Sequence, residues 1–153
     1  PGIGVGGHCI AVDPWFLVAD FPNEAKLIKH VRETNKFKTK WCINKIISIA
    51  DKYFVDKKTK PNIACMGLSY KPNVDDLRES PAVEIVNSLS KQGHNLLIVE
   101  PNIISSNIYK IKSMEKALAS ADIVVWLVAH DEFKNNNIPE NIIEIDLCGL
   151  NRG

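Results

Sequence analysis

The sequence has no long apolar run. Its hydrophobic stretches fall short of the roughly 20 residues that a bilayer-crossing helix needs. No basic segment followed by an apolar one opens the chain, so no secretory signal is visible. Charge of one sign is also lacking. In 153 residues, 19 Lys+Arg meet 18 Asp+Glu, a net of +1. Binding to a phosphate backbone needs a basic excess, which argues against nucleic acid as the main partner. Cysteine pairs are missing too. Cys9, Cys42, Cys65 and Cys148 are widely spread and form no C-x-x-C, so no metal site is expected. Cys65 and Cys148 lie in apolar, strand-like runs, where a free Cys behaves as a small hydrophobe. A reduced, cytoplasmic compartment is the simplest reading. Internal repeats and low-complexity tracts are lacking as well. What is present, 45% hydrophobic and 24% charged residues, suits one globular domain with an appended helical piece.

Three stretches separate along the chain. Residues 1–13, PGIGVGGHCIAVD, form a Gly-rich loop with no initiator Met before it. Such a loop needs elements on both sides, so the chain is expected to be the C-terminal part of a longer protein. Residues 14–60 read as helical. Asp13 is the expected N-cap and Pro14 the first helical residue. Pro22 interrupts this helix, and Asn23 can cap a second one. Apolar residues then recur at helical spacing from about Asn23 to Phe54. Residues 23–60 hold 11 Lys+Arg against 4 Asp+Glu. That excess reads as a solvated helix face, or as a surface toward an acidic neighbour.

Residues 61–153 alternate strand and helix patterns. Strands are expected over Asn62–Leu68, Asn95–Val99, Asp122–Val128 and Ile142–Cys148. Ser80-Pro81 opens a helix that Gly93 stops, and Met114–Ser120 forms a short one. The expected fold is α/β: a long helix followed by a Rossmann-like parallel sheet covered by helices. Gly2-x-Gly4-x-x-Gly7 fits the dinucleotide fingerprint, but no strand precedes it and no helix comes directly after it. The strand at Asn62 is followed by only one glycine, Gly67. Glu100, after the second strand, reads either as a ribose ligand or as a plain strand-end carboxylate.

Cys9 lies between a flexible loop and a helix start, where the helix dipole favours a thiolate. Asp13 comes four residues later, within reach of a water or a proton beside the sulfur. For Cys9 taken alone, a buried small residue is the plainer reading. The loop, the helix start and Asp13 together make a nucleophile plausible.

The runs GVGGHCIAVDPWFL, MGLSYKPNVDDLRESPAVEIV, VEPN and DLCGLNR closely resemble the UDP-glucose/GDP-mannose dehydrogenase family across the whole chain. The resemblance implies a cysteine loop (residues 1–13), a central helical dimerisation region (14–60) and a UDP-binding Rossmann-like domain (61–153). It also implies an N-terminal NAD-binding domain as partner, a UDP-sugar as substrate, NAD as cofactor, a homodimer, and no membrane. Such enzymes oxidise the sugar C6 alcohol to a carboxylate with two NAD. By resemblance Cys9 is the nucleophile and Asp13 assists the proton or water steps. Val5, Gly6, Gly7, His8, Tyr70, Lys71 and Arg152 would contact the UDP-sugar, and Arg78 the NAD. The family's Lys and Asn acid/base groups and its dinucleotide fingerprint are not among these residues. The isolated chain is therefore expected to be inactive, a UDP-binding and dimerisation module. His8 and Val12-Asp13-Pro14-Trp15 resemble the N-acetylmannosamine branch. UDP-N-acetylglucosamine, UDP-glucose and GDP-mannose stay open.

Overall fold

A computed structural model describes residues 2–104, 106–135 and 137–151. Pro22 divides the helical stretch as its ring requires: α1 spans Asp13–Asp20 and α2 spans Lys26–Lys57. Neither cap is the expected one. Val12 occupies the N-cap of α1 and Asp13 lies inside the first turn, with no side-chain cap bond. The Cys9 carbonyl already accepts the N–H groups of Val12 and Asp13, at 3.0 and 2.8 Å. The Trp15 N–H that an Asp13 cap would serve already donates to the Val12 carbonyl, at 2.9 Å. Likewise Ala25, not Asn23, caps α2, because a backbone turn ties Ala25 N–H to the Phe21 carbonyl at 2.9 Å. With 32 residues, α2 is about 48 Å long.

The remaining elements are β1 (Asn62–Met66), α3 (Pro81–Lys91), β2 (Asn95–Val99), α4 (Met114–Leu118), β3 (Ile123–Trp126) and β4 (Ile143–Asp146). Ser80 caps α3 as expected, its hydroxyl accepting from Ala82 and Val83. The four strands form one parallel sheet in the order β2-β1-β3-β4. β2 keeps its expected span, while β1, β3 and β4 end at Met66, Trp126 and Asp146, short of the expected Leu68, Val128 and Cys148.

The two-residue period of a strand sorts β1 between two cores. Ile63 and Cys65 face one side, where Cys42, Ile43, Ile46 and Ala50 of α2 meet Ile85, Val86 and Leu89 of α3. Ala64 and Met66 face the other, packed with Ala117 of α4 and with Trp126 and Phe133. Each buried Ile, Leu or Val contributes roughly 1.5–3 kcal/mol. Only the later half of α2 therefore anchors the helix to the sheet. Along its first half, Leu27, Val31, Phe37 and Trp41 stay exposed. Among the described residues, no helix is long and apolar enough to cross a membrane.

Candidate functional site

The strand order reverses direction between β1 and β3, since β2 lies on one side of β1 and β3 on the other. In open α/β sheets such a switch point leaves a crevice beyond the carboxyl ends of the strands. A cleft of about 250 Å³ lies there, lined by Gly4, Tyr70, Lys71, Val128, Cys148 and their neighbours. Gly67 makes the turn out of β1 at φ 95°, and a Cβ on it would sit 2.6 Å from the Val128 Cβ. Only glycine fits there. Cys148, expected inside a strand, instead lies past β4 at the cleft. Burial there pushes its thiol up to about 12, and the Asp146 carboxylate adds to the effect.

The opening Gly-rich stretch is wedged between α2 and the loop after β1. Thr39 Oγ1 donates to the Ile3 carbonyl at 3.1 Å. Asn35 clasps Val5 through two bonds, of 2.8 and 3.2 Å. Gly7 N–H donates to the Arg78 carbonyl at 3.1 Å. A Cβ on Gly6 would lie 2.4 Å from the Glu79 carbonyl oxygen, and one on Gly7 3.0 Å from the Tyr70 ring. The close approach these glycines allow is thus to protein. It brings Val5, His8 and Cys9 to the surface beside Tyr70 and Arg78. Cys9 is exposed, against the plain reading of a buried small residue, while Cys42 and Cys65 are buried. Burial alone pushes Cys65 up to about 12.

Arg78 carries the neighbouring charge. Its guanidinium grips Asp76 through three contacts of 2.6–3.0 Å. Those bonds hold the Asp76 carboxyl down at about 2, well below the usual carboxylate range. The Asp76 carbonyl also accepts the Tyr70 N–H at 3.1 Å, so Asp76 ties both ends of the loop. Lys71 is exposed, with its ammonium 5.5 Å from the Tyr70 ring centroid.

Comparison with known proteins bears on this cleft. The UDP-binding domain of the UDP-glucose/GDP-mannose dehydrogenase family matches residues 64–147, more than half of the chain. The chain belongs to this family. UDP-N-acetyl-D-mannosamine dehydrogenase of Escherichia coli K12 is 47% identical over 144 residues, covering 88% of this chain and 34% of that protein. The corresponding dehydrogenase of Campylobacter jejuni is 48% identical over 145 residues, 87% of this chain and 33% of its own. The solved UDP-D-ManNAc dehydrogenase of Pyrococcus horikoshii superposes with a TM-score of 0.80 at 30% identity, over 98% of this chain and 36% of that one. The chain thus spans about a third of the relatives it matches.

Within this family member, the ribose reading of Glu100 fails. Its carboxylate is buried and accepts from Leu68 N–H at 2.7 Å, Ser69 N–H at 3.0 Å and Asn102 N–H at 3.0 Å. Burial pushes this carboxyl up, yet His130 and those backbone N–H groups outweigh it and hold it below its ordinary value. The amides just past β1, where a dinucleotide fold would cradle a pyrophosphate, are therefore already taken by protein. This sheet does not fit NAD. Arg78, with its side chain 63% exposed, does fit contact with a group held outside the sheet.

Sequence reasoning passed over His130 and Arg32. His130 is fully buried, and in the sequence it carries no signal beyond its place after an apolar run. Arg32 is 7% exposed and its Nε has no hydrogen-bond partner. Arg152 lies outside the described residues.

Proposed function

We propose that this chain is the C-terminal part of an NAD-dependent nucleotide-sugar 6-dehydrogenase, supplying the UDP-sugar site and the cysteine nucleophile. UDP-N-acetyl-D-mannosamine is the proposed substrate, after the names of the similar proteins. UDP-glucose and UDP-N-acetylglucosamine are the alternatives. The observation that carries the reading is the docking of an exposed Cys9 loop onto Tyr70, Arg78 and Glu79, beside the cleft at the strand ends.

The chemistry that NAD would supply, from a preceding domain, is the acceptance of one hydride from the sugar C6 by each of two NAD in turn. This chain contributes the sulfur chemistry. The Cys9 thiolate adds to the C6 aldehyde, forming a C–S bond while the aldehyde oxygen takes up a proton. After the second oxidation the sugar is held as a thioester. Water then adds at C6 and the C–S bond breaks, freeing the acid and the thiol. Asp13 handles the proton of that water. Lys71 and Arg152 neutralise the nucleotide phosphates, while Val5, Gly6, Gly7, His8 and Tyr70 frame the sugar. Arg78 faces the NAD.

The same reading makes the isolated chain a UDP-binding and dimerisation module without catalysis. Phe16 on α1, Phe21 just after it, and Leu27, Val31, Phe37 and Trp41 on α2 are the exposed apolar side chains that a second copy would cover. Calorimetry on the 153-residue chain tests the assignment. UDP is expected to bind weakly, because ordering the cysteine loop opposes binding. NAD is expected to give no heat. Strong NAD binding with no response to UDP would overturn the reading.

A further inference from the structure

Beneath the loop that carries Tyr70 and Lys71 lies one polar node in an otherwise apolar layer. His130 is its centre and is fully buried. Both ring nitrogens are in use. Nδ1 lies 3.0 Å from the backbone nitrogen of Asn73, and a backbone N–H can only donate. Nδ1 is therefore the acceptor, and the network assigns the ring proton to Nε2. Nε2 lies 3.2 Å from the Glu100 carboxylate and 3.2 Å from Ser69 Oγ. The Ser69 hydroxyl in turn donates to the Lys71 carbonyl at 2.8 Å. Asn73 adopts φ 60°, a left-handed conformation, and its side chain exchanges two hydrogen bonds with Asp131. All of these bonds except His130–Glu100 hold residue 69, 71 or 73, within or beside the Tyr70-Lys71 segment.

We propose that His130 is a positioning residue for nucleotide recognition: its Nδ1 holds the Asn73 N–H, and so fixes where the loop presents Lys71 to a diphosphate. The inference rests on the UDP reading of the cleft. A hydrogen-bond network centred on a buried side chain rigidifies the loop that it holds. Without the acceptor, the part-buried Asn73 N–H loses this partner, and the left-handed turn loses one of the bonds that hold it.

Two substitutions separate this role from simple packing. In His130→Asn the side-chain oxygen stands near Nδ1 and keeps an acceptor for Asn73. In His130→Gln the amide stands near Nε2, keeping a donor for Glu100 and losing that acceptor. Calorimetry with UDP is expected to give near-unaltered affinity for the Asn variant and a loss of roughly tenfold for the Gln variant. The thermal midpoints of the two should fall alike. Equal UDP affinity in both variants, or losses that track the thermal midpoint, overturns the inference. If the unaltered chain takes up no UDP, the proposed function fails and takes this inference with it. If the unaltered chain binds UDP and the Gln variant binds it as well, the inference alone fails. Should the Gln variant not fold, amide exchange in the unaltered chain decides: a protected Asn73 N–H is expected, and exchange as fast as in an open loop overturns the assignment.

Discussion

Cys9 owes its exposure to the glycines before it. Gly6 and Gly7 press so closely on Glu79 and Tyr70 that the chain has no room to fold Cys9 beneath itself. Its sulfur stays accessible, whereas Cys42 is buried among the α2 contacts to the sheet. In a dehydrogenase that carries this chain, Cys9→Ser is expected to abolish oxidation to the acid and to leave UDP-sugar binding intact. Cys42→Ala should lower the thermal midpoint without lowering turnover. Product analysis beside a melting curve checks both, and equal loss of activity from the two changes would remove Cys9 from the mechanism. Lys71 and Arg78 divide by the same logic. Lys71 borders the cleft, while the Arg78 side chain is exposed and ion-paired with Asp76. Lys71→Ala should weaken UDP-sugar, and Arg78→Ala should weaken NAD, each by roughly tenfold to a hundredfold, as for a lost charged hydrogen bond. Titrations with each ligand separate them. Both changes weakening the same ligand would contradict the assignment.

At the scale of elements, the long loop between β1 and α3 joins the sheet to the cysteine stretch. Ser80 works on both sides of it, capping α3 and donating from Oγ to the Leu68 carbonyl at 2.6 Å. The cysteine stretch docks on this loop by backbone contact, which makes Gly6 the sensitive point. A Gly6→Ala methyl would meet the Glu79 carbonyl oxygen at 2.4 Å and Pro81 Cδ at 2.9 Å, and both sit on or beside a helix start that cannot give way cheaply. Overpacking of this kind costs about 1–3 kcal/mol. The thermal midpoint should fall by about 2–4 °C per kcal/mol. Limited proteolysis near Cys9 should quicken as the stretch undocks. A variant that melts and resists protease like the unaltered chain would show that the stretch is not held by this contact.

At the scale of the whole molecule, α2 is two helices in one. Its later half is bonded into the core, and Tyr53 near its end donates to Asp122 at the foot of the sheet, at 2.7 Å. Its earlier half, with α1, holds large apolar side chains in solvent. Trp41 lies between two lysines, with Lys38 4.0 Å and Lys45 5.2 Å from its ring centroid. Such side chains are covered on association. Sedimentation equilibrium should find dimers, and the double substitution Phe37→Glu, Trp41→Glu should shift the chain to monomers with the UDP site intact. A monomer at all concentrations before substitution would leave these side chains without a second copy.

Local chemistry was legible in the sequence wherever neighbours in the chain are also neighbours in space. The Ser80-Pro81 cap, the break at Pro22, the span of β2 and the parallel α/β order come from periodicity and turn chemistry alone. The motif runs pointed to Cys9, Tyr70, Lys71 and Arg78, and the fold brings Cys9 and Arg78 beside Tyr70. Asp13 and Asn23 failed as caps because backbone turns had already taken the N–H groups they would have served. Glu100 shows what only the tertiary structure decides. As a strand-end carboxylate it suits a ribose, and nothing in its neighbours along the chain says otherwise. Packing β1 beside β2 brings it under the amides of Leu68 and Ser69, and His130, 30 residues away, completes the cage. Hydrogen-bond partners so distant in sequence leave no periodic trace. Whether a polar group is spent on the protein or left for a ligand is therefore set by the fold.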